Sequence, residues 1–83
     1  MNFQQLKYFR TVYECKNITK ASERLHISQP AVSTAVRELE TELGVQLFLR
    51  QNRGLVATEE GDIFYASACK MLTQCENARY LVK

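Results

Sequence analysis

Apolar residues recur at helical spacing in three separate segments of the first half of the chain. The first predicted helix begins after Asn2, which can cap it together with Gln5 three residues later, as in a capping box. Asn17 ends this helix. Five apolar residues fall on one side of it at helical spacing: Phe3, Leu6, Phe9, Val12 and Tyr13.

A short second helix is predicted to begin at Thr19, a residue type that is favoured at the N-cap. Ala21 and Leu25 lie four residues apart, on what would be its buried side. Residues 26–27 then form a tight turn before the next helix. The pattern therefore predicts two helices joined by a short turn.

Residues 28–44 predict an amphipathic third helix with defined ends. Ser28 can cap it, and Pro30 lies in the first turn, where its missing N–H group costs nothing. Gly44 can adopt the left-handed conformation that ends a helix. The predicted buried stripe is aliphatic: Val32, Val36, Leu39 and Leu43.

The opposite face of the third helix is unusual, because exposed helix surfaces are normally crowded with Lys and Glu. It carries short, mostly hydrogen-bonding side chains and one arginine: Gln29, Pro30, Ser33, Thr34, Arg37 and Thr41. Such a face fits the major groove of DNA, where bulky charges would block the approach to base edges. We interpret the third helix as a recognition helix, which requires this face to be exposed.

The hydrophobic period changes after the third helix. Residues 45–50 are apolar and compatible with a β-strand, 51–54 form a turn, and 55–57 form a possible return strand. The predicted hairpin carries Arg50 and Arg53 near its tip. Two short helices followed by such a hairpin predict a mainly α winged helix-turn-helix fold.

Thr58 is predicted to cap a long final helix that continues to the end of the chain. We call residues 1–57, which precede this helix, the head. At about 1.5 Å per residue the helix is roughly 38 Å long, too long to be buried entirely against so small a head. A nearly continuous heptad seam runs along it: Phe64, Ala68, Met71, Cys75, Ala78 and Val82. We expect a second helix to cover this seam as a dimer interface.

Charge is distributed unevenly along the 83 residues, although the net charge is only +2. Residues 1–57 hold eight basic and five acidic side chains, whereas residues 58–83 hold three basic and four acidic side chains. The excess of positive charge therefore lies with the presumed recognition helix. This asymmetry is compatible with a nucleic-acid partner but does not prove one.

Residue types exclude several classes of site. The three cysteines show no C-x-x-C spacing and only one histidine accompanies them, so we expect no metal site, no cofactor and mostly buried, reduced thiols. We find no Ser-His-Asp or Cys-His set and no glycine-rich phosphate loop, and we therefore expect that the chain is not an enzyme. No apolar run approaches the roughly 18 residues of a membrane span, and the N-terminus does not resemble a secretory signal. A cytoplasmic location is expected.

The segment from Ala21 to Ser33, followed by Leu47-Phe48 and by Thr58-Glu59 and Gly61, resembles the N-terminal region of LysR-type transcriptional regulators. The resemblance runs from residue 1 to about residue 62. It implies a winged helix-turn-helix domain at 1–58, with the helix-turn-helix at about 18–37 and the wing at about 46–57, followed by a linker and dimerisation helix at 59–83. In this family a C-terminal domain binds an effector; we expect it to be absent from these residues, so the chain resembles a fragment.

The resemblance also implies roles for individual residues. Gln29, Pro30 and Ser33 match family residues that approach bases or phosphates in the major groove, and Arg53 matches a wing arginine that enters the minor groove. The set that we expect to contact DNA is Thr19, Lys20, Ser28, Gln29, Pro30, Ser33, Thr34, Arg37, Arg50 and Arg53. Two positions depart from the family: Thr34 stands where Arg or Lys is common, and Glu38 where a basic residue is frequent. Both changes reduce attraction to phosphate.

The leading interpretation is a sequence-specific double-stranded DNA-binding domain of a bacterial transcription regulator. The resemblance implies a homodimer on an inverted-repeat operator, with a tetramer possible for a full-length protein. Two alternatives remain. The long helix could instead pair with a different protein, or the chain could belong to another winged-helix family, such as the MarR type, which needs further helices beside the head.

Overall fold

The computed structural model describes residues 1–52 and 54–82. Four helices and a two-stranded antiparallel hairpin follow one another along the chain: α1 (Phe3–Cys15), α2 (Ile18–Leu25), α3 (Gln29–Leu43), β1 (Phe48–Gln51), β2 (Gly54–Ala57) and α4 (Glu59–Leu81). This arrangement confirms the predicted mainly α winged helix-turn-helix fold. In the hairpin, which we call the wing, Phe48 pairs with Ala57 and Arg50 with Leu55.

Side chains cap the helices, and three of the four predicted caps are confirmed. The side chains of Asn2, Ser28 and Thr58 each accept a hydrogen bond from the backbone N–H three residues later. For α2 the prediction of Thr19 was wrong. Asn17 caps that helix, since its Oδ1 accepts from the Lys20 N–H at 2.8 Å.

Residues in the left-handed conformation end the first three helices. Gly44 ends α3 as predicted, with φ at 71°. Lys16 and His26 end α1 and α2 with φ at 51° and 57°. A residue with a Cβ adopts this conformation at a cost, so both positions depend on compensating contacts.

The core is one cluster to which all four helices and the start of β1 contribute, with Phe9 and Leu39 fully enclosed. Val32, Val36 and Leu39 of the predicted stripe are buried, but Leu43 is 36% exposed and its assignment to the core was wrong. Leu43 occupies the last turn of α3, beyond the last residue of this helix that reaches the core. Ala35 is buried instead.

The first half of α4 packs on the head of its own chain, which corrects part of the predicted dimer seam. Ala68 is completely buried, and the Phe64 ring packs edge-on against Phe9 with centroids 5.0 Å apart. Met71 also packs against the core. A residue that is enclosed by its own chain offers no surface to a partner, so Ala68 cannot form a dimer interface in this structure.

The second half of α4 extends past the head. Every residue from Thr73 to Val82 is exposed, including Cys75, Ala78 and Val82 of the predicted seam. None of the helices described here has the length and apolar character needed to cross a membrane. Within residues 1–52 and 54–82, no group of three His, Cys, Asp or Glu side chains is placed to hold a metal ion.

Candidate nucleic-acid interface

The N-terminal part of α3 presents the polar face that the sequence indicated. Gln29, Pro30, Thr34 and Arg37 are exposed, and Ser33 is half-buried. None of these five side chains belongs to the core. We call these five residues the recognition surface. Its exposure satisfies the condition on which the interpretation of α3 as a recognition helix depends.

One edge of the recognition surface faces the wing. A cleft of about 350 Å³ separates α3 from the wing and from the start of α2. Gln29 and Ser33 of α3 line it, with Thr19 of α2 and Arg50 of the wing. A second recess farther along α3 is lined by Arg37 and Arg50 and also by Glu40. This edge of the recognition surface is therefore bordered by two guanidinium groups and one carboxylate, an excess of positive charge.

The other edge of the recognition surface faces α1 and has a different charge. Pro30, Thr34 and Glu38 follow one another at intervals of four residues and border a groove of about 410 Å³. Uncharged residues of α1 and its N-cap form the opposite wall: Asn2, Gln4, Gln5 and Tyr8. Its lining contains no Lys or Arg, and its one charged side chain is Glu38. The two edges of α3 are therefore electrostatically unequal.

Gln5 joins α1 to this edge and was not recognised as a contact residue from the sequence. Its amide Nε2 donates to Oε1 of Glu38 at 3.3 Å. Among the described residues the Gln5 Oε1 has no hydrogen-bond partner, so the reciprocal capping-box contact with the Asn2 N–H is not formed, although Asn2 does accept from the Gln5 backbone N–H. A capping-box spacing alone does not predict this outcome, because the position of the Gln5 amide depends on a carboxylate 33 residues away in the chain.

Helix starts contribute backbone donors beside the recognition surface. Ser28 is exposed, and its hydroxyl accepts from the Ala31 N–H at 3.2 Å. Thr19 and Lys20 lie exposed in the first turn of α2. Because the first N–H groups of a helix lack intrahelical partners, these turns are suited to phosphate oxygens.

The wing carries one predicted arginine that the structure describes and one that it does not. Arg50 is exposed on β1 and lines the cleft beside α3. Arg53 lies outside the described residues, so its predicted minor-groove role stays a prediction. Asn52 precedes it with φ at 43°, a value that Asn adopts more readily than most residues.

Fold and site together define a winged helix-turn-helix DNA-binding domain. The family model described as "Bacterial regulatory helix-turn-helix protein, lysR family" matches residues 3–62. The chain belongs to this family. It is a LysR-type helix-turn-helix DNA-binding domain of the kind found in transcription regulators, and not an enzyme.

Relatives from several bacteria match almost the whole chain. The nitrogen assimilation regulatory protein nac of Escherichia coli (strain K12) is 46% identical over 82 residues, which cover 99% of this chain and 27% of nac. The HTH-type transcriptional regulator BenM of Acinetobacter baylyi is 39% identical over 83 residues, again 27% of its length. The chain therefore spans about a quarter of the length of these curated relatives.

Solved structures share the same fold. The BenM_DBD/catB site 1 DNA complex aligns with a TM-score of 0.93 at 38% identity, covering 99% of this chain and 91% of that one. The CbnR_DBD-DNA complex aligns with a TM-score of 0.90 at 37% identity over the full length of both chains.

Proposed function

We propose that this domain binds double-stranded DNA sequence-specifically as a homodimer, with α3 in the major groove and the wing in the adjacent minor groove. The observation that carries the proposal is the exposed, largely uncharged recognition surface on α3, bordered by a cleft that leads to the wing. The similar BenM_DBD and CbnR_DBD structures, which are DNA complexes, support the same partner for this chain.

Base reading is assigned to the first turns of α3. The exposed Gln29 amide can bond to the N6 and N7 edge of adenine in a bidentate manner. The Pro30 ring can pack against a thymine methyl group, and the Ser33 hydroxyl can donate to a base or a phosphate. Each of these groups is short, so the helix can approach the base edges closely.

Phosphate contacts are assigned to the elements around the cleft. Thr19, Lys20 and Ser28 lie at helix starts, where the N–H groups that Asn17 and Ser28 leave uncapped suit phosphate oxygens. Arg37 and Arg50 supply charge on the wing side. The α1 side supplies no cation from its groove lining. Thr34 contributes a hydroxyl there in place of a long basic side chain.

The exposed end of α4 is the surface that we assign to the homodimer. Tyr80, Leu81 and Val82 are at least 80% exposed. Beside them, a groove of about 450 Å³ runs between α1 and α4, lined by Phe3 and Tyr80 together with charged residues of both signs. A second copy of the α4 end would cover this apolar surface, and Cys75, Ala78 and Val82 remain as candidate contacts. Full-length LysR neighbours such as CbnR are compatible with an oligomer.

The whole protein is proposed to be a bacterial transcription regulator that acts in the cytoplasm. Its relatives, named as transcriptional regulators, are about four times as long as this chain. A dimer with two-fold symmetry then requires an inverted-repeat operator whose half-sites lie about one helical turn, or a multiple of it, apart.

Selection of duplexes from a random pool tests the proposal directly. The expected product is an inverted repeat, and its affinity should fall about a hundredfold between 50 and 200 mM salt if four phosphates are contacted. A scrambled duplex of the same length is the control and should bind more weakly. A pool that yields no enriched sequence would contradict sequence-specific binding by this domain.

A further inference from the structure

The wing is held to the turn between α1 and α2 by a backbone hydrogen bond. The N–H of Leu55 in β2 donates to the carbonyl oxygen of Lys16 at 3.4 Å. A Cβ on Gly54 would lie 3.6 Å from the same oxygen, so β2 begins directly against this turn. The Lys16 carbonyl is therefore one of the contacts that fix the wing, and it holds β2, whereas the N–H groups of Leu47 and Phe48 donate to the Glu40 carboxylate of α3 at the start of β1.

Lys16 holds that carbonyl in place only by adopting an unfavourable conformation. Its φ of 51° and ψ of 33° are left-handed, which a residue with a Cβ adopts at a cost. Two contacts of its side chain offset the cost. Nζ donates to the Tyr13 carbonyl oxygen at 2.7 Å and lies 3.6 Å from the centroid of the Tyr13 ring.

The Tyr13 ring is itself fixed by α4. The ring of Tyr65 stacks on it with centroids 3.9 Å apart and an angle of 11° between the planes. Since the Lys16 ammonium and the Tyr65 ring both lie within 4 Å of the Tyr13 centroid, they must occupy opposite faces of the ring. Hydrogen bonds lock both phenols, from Tyr13 to Asp62 at 2.8 Å and from Tyr65 to Glu14 at 2.9 Å.

We propose that Tyr65 is a positioning residue for DNA binding, which holds the wing in place through Tyr13 and Lys16. In this proposal Tyr65 acts through Tyr13 and Lys16 and not through a contact of its own with DNA. Its ring keeps the Tyr13 ring under the Lys16 ammonium, and this contact keeps the Lys16 carbonyl directed at the Leu55 N–H. The inference rests on the proposed function, because a fixed wing affects affinity only if the wing contacts DNA.

Hydrogen exchange at the Leu55 amide tests the structural step without DNA. The partner of this N–H is the carbonyl of Lys16 rather than one on β1, so its protection reports on the contact between wing and turn. Tyr65→Ala should speed exchange at Leu55 by about tenfold relative to the Val36 amide in α3. Tyr65→Phe keeps the stacked ring and should stay within about twofold of the wild type. Equal exchange in all three proteins would overturn the proposal.

A double-mutant cycle tests the step to DNA. Arg50→Ala removes a contact of the wing, whereas Gln29→Ala removes a contact of α3, and each is combined with Tyr65→Ala. If Tyr65 positions the wing, the loss of affinity from Arg50→Ala should shrink by at least about threefold in the Tyr65→Ala background. The loss from Gln29→Ala should be the same in both backgrounds, since α3 keeps its place.

The outcomes separate this inference from the proposed function. If the wild-type domain binds its selected duplex but both pairs of substitutions are additive, Tyr65 has no positioning role and this inference alone fails. If the wild-type domain binds no duplex, both proposals fail together. Should Tyr65→Ala unfold at the assay temperature, Tyr65→Leu replaces it, because leucine fills the volume without stacking.

Discussion

Gly61, in the first turn of α4, lies directly against the backbone of Leu47. A Cβ at position 61 would overlap the carbonyl oxygen of Leu47 and stand 3.2 Å from its carbonyl carbon. That same oxygen accepts from the Thr58 N–H at 3.0 Å and so holds the start of α4 against the segment leading into the wing. Only glycine allows this approach.

Gly61→Ala is therefore expected to destabilise the domain by about 1–3 kcal/mol, because the backbone at Leu47 has to move. Thermal unfolding measures the change. Gly54→Ala is the matched control, since its Cβ would meet the Lys16 carbonyl oxygen at 3.6 Å, an ordinary contact. Equal stability of Gly61→Ala and wild type would show that the close approach is not required.

Base reading by Gln29 predicts a loss confined to one position of the selected DNA site. Gln29→Ala should cost about 1–3 kcal/mol against the preferred base there and should make the other bases at that position nearly equivalent. Binding titrations against four duplexes that differ at that base pair measure the effect.

Lys20→Ala is the control for Gln29. Its ammonium group is exposed in the first turn of α2, so its removal should weaken binding to all four duplexes alike. The slope of log affinity against log salt concentration should fall by the amount expected for about one phosphate contact. An unchanged base preference after Gln29→Ala would remove Gln29 from base reading.

The unequal charge on the two edges of α3 predicts that the edge facing α1 limits the affinity for DNA. Glu38 is the charged residue in a groove lining without Lys or Arg, and it borders the recognition surface. Glu38→Lys should strengthen binding to every duplex. The slope of log affinity against log salt concentration should become steeper by the amount expected for about one phosphate contact. Glu60→Lys, at an exposed position in the first turn of α4, makes the same change in net charge outside both the recognition surface and the groove assigned to the dimer. Equal gains from the two substitutions would mean that only net charge matters.

A pH effect follows from the phenol of Tyr65. Its hydrogen bond to the Glu14 carboxylate raises the pKa of Tyr65 above the ordinary value of 10.0. The folded chain therefore keeps this proton at a pH where the unfolded chain loses it. The resulting stability is fully present below pH 10 and is lost as the pH rises from 10 through the folded pKa.

Denaturant unfolding as a function of pH measures this effect. The difference in unfolding free energy between the wild type and Tyr65→Phe should be constant from about pH 7 to 9.5 and should shrink above pH 10. Tyr80→Phe, at an exposed position of the same helix, should leave the wild-type curve unchanged. A difference in unfolding free energy that grows above pH 10 would contradict the upward direction assigned to the pKa of Tyr65.

Helix ends and the fold were predictable because they depend on residues close together in sequence. Ser28 and Thr58 cap helices whose first N–H groups lie three residues away. Asn17 and Thr19 are both suitable caps and only two residues apart, and the choice between them depends on the left-handed turn at Lys16 that precedes them. That turn is stabilised by tertiary contacts, which local propensity does not contain.

Contacts between distant segments could not be predicted. The hydrogen bonds of Tyr13 and Tyr65 join residues 49 and 51 positions apart in the chain. The heptad seam of α4 was visible, but its spacing is the same whether the helix packs on its own head or on another copy. The structure divides the seam, with Ala68 enclosed and Ala78 exposed.

That division predicts which half of the seam supports self-association. Ala78→Asp should shift the domain toward monomer in sedimentation, because a carboxylate in a helix interface loses its hydration without gaining a partner. Thr73→Asp is the matched control, since Thr73 is exposed on the other side of α4, about 140° around the helix from Ala78 by the 100° turn per residue. Its sedimentation should match that of the wild type.

The DNA-binding step gives this prediction a second readout. Ala78→Asp should bind a single half-site as well as the wild type does, since the recognition surface is untouched, but should lose its preference for the full inverted repeat. A wild-type domain that remains strictly monomeric at high concentration would instead favour a different protein as the partner of the exposed end of α4.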